Sequence, residues 1–425
     1  MRVAVIGGGI AGLTTALALA RVGVRSTVYE AVRDPRPLGV GINLLPHAVR
    51  ELAEMGLLAE LERIGVAIDA LVYRMADGRE VWREPRGIAA GYHWPQFAVH
   101  RGRFQSLLRA RVLQELGAQA IRDGFALGGF HEHSGAVALE FVDRSSGAPV
   151  ATMEADLVIG ADGIHSALRR QLYPAEGLPK WNGISLFRGT TLLPPRSART
   201  QMSWTGHSRQ KFVGYPIAIE TTGEILFNWI CDLPTAEPGS QPREDWNRRI
   251  DPEAWVDRYA GWVWDGIDVV SIVRRATAVF EFPMIDRDPL PQWTHGRITL
   301  VGDAAHPMYP IGSNGATQSI IDARVLAFHL ATAPDPDAAL TRYEQERREA
   351  TSRIVLMNRA HGPDKVLEIA NERCRAGDDL EAVFPFEERA EIAASYKRIA
   401  GFDPAALNVR GSYSVDCAKS ALRGS

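Results

Sequence analysis

Val3-Ala4-Val5-Ile6-Gly7-Gly8-Gly9-Ile10-Ala11-Gly12 is the stretch on which the fold turns. Four apolar residues bounded by glycine read as a buried parallel strand. The glycines that follow satisfy G-x-G-x-x-G. Residues 13–21 are rich in Ala and Leu and read as a helix, and Gly23 ends it. Ser26-Thr27-Val28-Tyr29 then reads as a second strand closing on Glu30. Each residue type has a physical task in this order. Gly7 permits the tight turn, Gly9 lets backbone approach a pyrophosphate, and Gly12 allows close packing of helix on strand. Ile10 and Ala11, within the glycine loop, are counted with the cofactor-binding residues, and the N-terminal N–H groups and positive dipole end of the helix face the phosphates. Glu30 stands where a carboxylate accepts hydrogen bonds from a ribose diol. The pattern predicts a dinucleotide site and leaves FAD or NAD open.

Composition narrows the class. The 425 residues carry 48 Lys plus Arg against 51 Asp plus Glu, a formal charge of −3, and 46% are hydrophobic. That balance suits a globular protein and argues against a nucleic-acid binder, which needs a basic excess. The three cysteines, Cys231, Cys374 and Cys417, lie far apart without a CxxC. This excludes a disulfide framework and a cysteine-rich zinc module. Met1-Arg2 before an apolar run superficially resembles a secretory leader, but four glycines within it favour a phosphate loop over a leader helix. No run approaches the roughly 20 apolar residues of a membrane span. A cytoplasmic protein without membrane or nucleic-acid partners is expected.

Two later segments decide the cofactor. Asp156-Leu157-Val158-Ile159-Gly160-Ala161-Asp162-Gly163-Ile164-His165-Ser166 reads as strand and turn, with Ser166 placed to cap a helix. Arg297-Ile298-Thr299-Leu300-Val301-Gly302-Asp303-Ala304-Ala305-His306-Pro307 is a further strand ending in Gly-Asp. The glycine fingerprint, the Asp-Gly motif and the Gly-Asp motif occur together in order. In this the chain resembles the class A flavoprotein monooxygenases, which include para-hydroxybenzoate and salicylate hydroxylase. The loop Gly312-Ser313-Asn314-Gly315-Ala316, the segment Gly39-Val40-Gly41-Ile42-Asn43 and Tyr396-Lys397-Arg398-Ile399-Ala400-Gly401-Phe402-Asp403 are similar to the phenazine hydroxylase branch.

The resemblance implies an α/β fold: a Rossmann-like FAD-binding domain with an inserted β-sheet substrate domain, para-hydroxybenzoate hydroxylase-like. It implies FAD as cofactor, NADH or NADPH as transient co-substrate, molecular oxygen, and a small aromatic substrate. Gly7, Gly9 and Gly12 would hold the pyrophosphate and Glu30 the adenosine ribose. Arg101 would reach the FAD, Asp303 would bond its ribityl or pyrophosphate region, and Asp162 would support the site. Gly312 belongs to the flavin loop, and Gly315 and Ala316 would face the flavin's pyrimidine edge, where a helix N-terminus favours negative charge. The expected reaction is hydroxylation through a flavin hydroperoxide, with or without loss of a carboxylate. A flavin oxidoreductase, an epoxidase, a halogenase and a non-catalytic flavin sensor are the alternatives.

The interleaved motifs make the FAD domain discontinuous, with expected pieces 1–72, 97–178 and 284–360. Residues 73–96 and 179–283 would form the substrate sheet, and 361–425 a helical segment and tail. Short alternating segments around Tyr215, Phe227 and Trp229, with Trp181 and Phe187, suggest an aromatic cavity wall. Tyr309 and Pro310 would border the flavin, and His47 or Arg188 would meet a substrate carboxylate. His131-Glu132-His133 lacks a third ligand, so no metal is expected. A monomer or homodimer is expected.

Overall fold

Val3–Ile6 is the middle strand of a five-stranded parallel sheet, and every one of its residues is buried. The strands run in the order Ile298–Leu300, Leu157–Gly160, Val3–Ile6, Ser26–Glu30 and Ile121–Asp123. Such a sheet is covered on both faces, which is why its strands are continuous apolar runs and do not alternate. The computed structural model describes residues 1–35, 39–133, 135–195, 200–237 and 248–415. Cys417 and the end of the tail at 420–425 lie outside the described residues.

The helix Ile10–Arg21 follows the first strand and packs against the helices Asn314–Thr332 and Arg101–Leu116. Its approach depends on the missing side chain of Gly12, where a Cβ would lie 1.9 Å from the Gly7 carbonyl oxygen. Gly7 itself has φ +108°, and a Cβ there would meet the Ala161 carbonyl at 2.4 Å. These two glycines therefore hold the first strand, its helix and the Leu157–Gly160 strand together. The antiparallel strands Ala126–His133, Ala136–Val142 and Pro149–Ala155 form a separate small sheet. There His131 and His133 stand exposed beside Glu140 and Glu154, and no metal-binding cluster occurs among the described residues.

The second large sheet has seven strands, in the order Val279–Asp286, Lys180–Leu193, Ile225–Pro234, Gln210–Ile219, Gln201–His207, Ala70–Arg74 and Glu80–Pro85. All its neighbours are antiparallel except Gln201–His207 against Ala70–Arg74. The strands Ala70–Arg74 and Val279–Asp286 run through the expected boundaries at 72 and 283. Side chains alternate between its two faces, apart from local register shifts near Trp181, Pro216 and Tyr73. Leu186, Met202, Trp204, Val213, Tyr215 and Ile230 share one face. Phe187, Phe212, Phe227, Trp229 and Cys231 share the other, packed under Trp255, Tyr259, Trp262 and Trp264.

The helix Pro336–Arg359 starts where Asp335 accepts the Ala338 N–H at 2.8 Å, with Pro at the first helical position. Beyond it come four shorter helices, Lys365–Arg373, Leu380–Val383, Phe386–Ile399 and Pro404–Val409. Among the described residues no helix is long and apolar enough to cross a membrane.

A Gly12→Ala variant must force the first helix off its strand, while Gly9, with nothing within 4 Å of a Cβ, has room. Gly12→Ala is expected to lose about 1–3 kcal/mol, as overpacking does, and Gly9→Ala much less. Thermal unfolding of the two cofactor-free variants checks this.

Candidate active site

The N-terminal end of the site is a cradle of backbone. Gly9 lies at the mouth of the first helix with open space where its side chain would be. That vacancy is the close approach a pyrophosphate requires, and Ile10 and Ala11 start the helix behind it. Glu30 ends its strand with one carboxylate oxygen on the Gly8 N–H at 2.7 Å and the other on the Val32 N–H at 2.8 Å. Each oxygen keeps a second lone pair for a ribose hydroxyl. These residues fit the adenosine and pyrophosphate of FAD.

Arg101 and Asp303 share an electrostatic field further along. Burial lowers the Arg101 guanidinium from its ordinary value, opposed by Asp303. Burial raises the Asp303 carboxyl, opposed by His306 and Arg101. Asp162 stands behind the cradle, where its Oδ2 accepts the Ala167 N–H at 2.8 Å, beside the Ser166 cap on the Arg169 N–H. It supports the turn and does not line the cavity.

Next to this cradle lies a cavity enclosing about 960 Å³ including its open mouth. Asp303, Pro310, Gly312, Gly315 and Ala316 form one side of it. The first turn of the helix Asn314–Thr332 opens onto that side, and its leading N–H groups have no acceptor within the helix. The opposite wall is the apolar face of the seven-stranded sheet, with Leu186, Met202, Trp204, Val213, Ile230 and Met284. Gly41, Ile42 and Asn43 close one edge.

Two polar features interrupt that wall. Arg188 donates to the Gly41 carbonyl at 2.8 Å, and its Nε is buried without a partner. Burial lowers its pKa, opposed by Tyr215 and Asp232, and it has no ion pair among the described residues. Lys211 sits between Asp232 at 3.1 Å and Asp364 at 2.5 Å, all three nearly inaccessible to solvent. Burial works against the ammonium, yet the two carboxylates raise its pKa and keep it charged. Burial raises the Asp232 carboxyl, opposed by Lys211, and Asp232 also reaches Arg188 electrostatically.

A hydrogen-bonded network lies behind the loop. Asp322, on the helix Asn314–Thr332, accepts the Gly302 N–H at 2.9 Å, bonds His306 Nε2 at 2.5 Å and accepts Arg347 Nε at 2.8 Å. Arg347 also donates to Gln318 at 2.6 Å, and Gln318 reaches His47 at 3.3 Å and Asn314 at 3.1 Å. Burial alone would raise Asp322, but His306 and Arg347 bring it down to about 2.

Several expected cavity residues stand elsewhere. Phe227 and Trp229 point to the opposite face of the sheet, because neighbours of Asn228 and Ile230 must face away from them. Phe187 is on that far face too, stacked on Trp255 at 4.3 Å. Trp181 is tied back to the Ile184 carbonyl at 2.7 Å. His47 is buried against Phe402, ring on ring at 5.0 Å, and burial lowers its pKa so that it stays neutral. It therefore presents no cation to a carboxylate. Tyr309 packs into the apolar cluster with Phe282 and Met284, and burial pushes its hydroxyl up to about 12. Arg188, Tyr215 and Pro310 do line the cavity. Sequence reasoning missed Lys211, Asp232 and Trp204, although a lysine and an aspartate inside apolar strands were visible signals. Asp364 carries no such local signal.

Residues 1–357 match the FAD binding domain family. The chain belongs to that family. It is 39% identical over 363 residues to phenazine 1,6-dicarboxylic acid hydroxylase PhzS of Lysobacter antibioticus, covering 84% of this chain and 89% of that protein. It is 32% identical to 6-hydroxynicotinate 3-monooxygenase of Bordetella bronchiseptica, covering 83% of this chain and 89% of that protein. Its fold is similar to Klebsiella pneumoniae HpxO complexed with FAD and uric acid, at TM-score 0.72, 24% identity and 95% of each chain. The chain is an FAD-dependent monooxygenase with the para-hydroxybenzoate hydroxylase-like architecture.

Two outcomes are expected of this monooxygenase. Asp322 has a folded pKa below its ordinary value of 3.8. Its contribution is therefore complete at neutral pH and lost as pH falls from about 5 towards 2, to the extent of about 2 kcal/mol. Asp322→Asn should flatten that limb of a plot of denaturant stability against pH. Lys211→Met leaves two buried carboxylates facing each other and is expected to cost about 3–5 kcal/mol. Adding Asp364→Asn to it should recover part of the loss in the same denaturant titration.

Proposed function

We propose that this monooxygenase hydroxylates a flat, carboxylate-bearing heteroaromatic compound of the phenazine class, with or without loss of the carboxylate. The observation that carries the reading is Arg188. It is a buried-side cation with an unpartnered Nε, set in an apolar wall opposite the flavin loop. Its Nε lacks a partner beside the cavity, and a ligand that brings a carboxylate would supply the missing acceptor. Arginine binds a carboxylate in a planar, two-point manner, which would orient a ring carrying it. The curated relatives at 32–39% identity described above act, by name, on a phenazine dicarboxylic acid and a hydroxynicotinate, both carboxylated rings.

We assign the cofactor contacts to Gly7, Gly9, Ile10, Ala11, Gly12, Glu30, Arg101, Asp303, Gly312, Gly315 and Ala316, with Asp162 in support. FAD, when bound, supplies electron acceptance from NAD(P)H and the activation of molecular oxygen. The chain's own groups do the rest. The first turn of the helix Asn314–Thr332 stabilises negative charge on its open side. Leu186, Met202, Trp204, Val213, Ile230 and Met284 keep water from the ring. Arg188, beside Tyr215, would meet the carboxylate, and the neighbouring Lys211–Asp232–Asp364 cluster would meet a further polar group of the ring. Cys231 is no nucleophile in this scheme, since it faces the far side and burial drives its thiol pKa upward.

The test is NAD(P)H oxidation by the FAD-loaded protein with phenazine-1-carboxylate, phenazine-1,6-dicarboxylate and salicylate, with products weighed by mass spectrometry. The expected result is stimulated oxidation with gain of one oxygen, or exchange of carboxylate for hydroxyl. Oxidation that no carboxylated ring stimulates would sink the reading. Arg188→Met is expected to raise KM for the carboxylated substrate about tenfold or more, since a charged hydrogen bond is lost, and to lower kcat less.

A further inference from the structure

The family match ends at residue 357, yet the flavin loop is tied to a side chain far beyond it. Tyr396, on the helix Phe386–Ile399, reaches into the back of the loop, where its hydroxyl accepts from Asn314 Nδ2 at 2.7 Å and donates to Asn358 Oδ1 at 3.3 Å. Asn314 Nδ2 also donates to the Gly312 carbonyl at 3.1 Å, and Asn358 Nδ2 donates to the Tyr309 carbonyl at 3.2 Å. Both ends of the segment from Tyr309 to Asn314 are thus held through one phenolic oxygen. The loop needs holding. Gly312 has φ +74° and Ser313 has φ +60°, a region that a serine disfavours. The fit is tight enough that a Cβ on Gly312 would lie 2.0 Å from the Tyr396 oxygen.

Tyr396 is itself braced. Its ring meets Phe402 edge-on at 6.2 Å, Phe402 stacks on His47, and the Phe402 carbonyl accepts the Tyr92 hydroxyl at 2.5 Å. Next to it, Lys397 pairs with Glu84 of the substrate sheet.

We propose that Tyr396 is a positioning residue for the flavin: by clamping Gly312 and Asn314 it aims the first turn of the helix Asn314–Thr332 at the cofactor. The inference rests on the placement of FAD against Gly315 and Ala316 given above. A helix N-terminus stabilises negative charge only over its first turn, so small misalignment weakens it. The reduced cofactor carries the extra negative charge and loses most when the clamp is released.

The experiment uses the full-length FAD holoenzyme carrying Tyr396→Phe, which removes one oxygen and keeps the ring. Midpoint potential by dye equilibration, the visible flavin spectrum, FAD affinity after removal and re-addition, and thermal unfolding are measured. The expected result is a shifted visible band, FAD bound about tenfold more weakly, and a more negative potential. A tenfold change in the two-electron reduction equilibrium is about 30 mV. A wild-type potential, spectrum and FAD affinity would overturn the proposal, even if the melting temperature fell, because that combination describes an ordinary core contact. If Tyr396→Phe does not fold, Asn358→Ala removes the acceptor behind the hydroxyl and carries the same expectation. Ala316→Asp separates this proposal from the flavin's placement. A potential unmoved by Ala316→Asp refutes the placement, and the clamp with it. A potential moved by Ala316→Asp but not by Tyr396→Phe refutes the clamp alone.

Discussion

One buried carboxylate holds the Gly302–Asp303 corner and the helix Asn314–Thr332 in register. Asp322 takes a backbone N–H from Gly302, a ring nitrogen from His306 and a guanidinium nitrogen from Arg347. It sits on the helix whose first turn faces the cavity, so fixing it fixes that turn relative to the Gly302–Asp303 corner. An isolated buried charge would be costly, and its three donors are what make it tolerable. Arg347 passes the constraint to Gln318, and Gln318 passes it to Asn314 at the helix start.

The seven-stranded sheet solves a different problem. One of its faces lines the cavity and the other is buried, and the period of two in a strand does both with a single chain. Aromatic residues crowd the far face, where Phe187, Phe212, Phe227 and Trp229 meet Trp255 and Trp262. The near face is leaner and carries charges, Arg188 on one strand with Lys211 and Asp232 on the next two. Aromatic richness thus marked the packing side, and the isolated charges marked the cavity side.

Local sequence made the glycine-rich strand–turn–helix legible because its geometry is set by the backbone. A turn with positive φ, a close helix and a strand-terminal acid leave fixed spacings, and Gly7, Gly12 and Glu30 stand where those spacings put them. The cap at Ser166 was legible for the same reason. The cavity was less so. His47, Tyr309, Phe227 and Trp229 have side chains suited to a substrate wall, but which way each points depends on strand register and on the C-terminal helices.

By itself the sequence determined the α/β class and the family, since each depends on residues close together along the chain. Only the tertiary structure decided which face of the sheet lines the cavity, that Lys211 is shared between Asp232 and Asp364, and that Tyr396 reaches the loop at Gly312. Those pairings join residues tens to hundreds of positions apart. Their energies come from burial and from charges that must find partners away from water, and no local pattern in the chain records which partner is found.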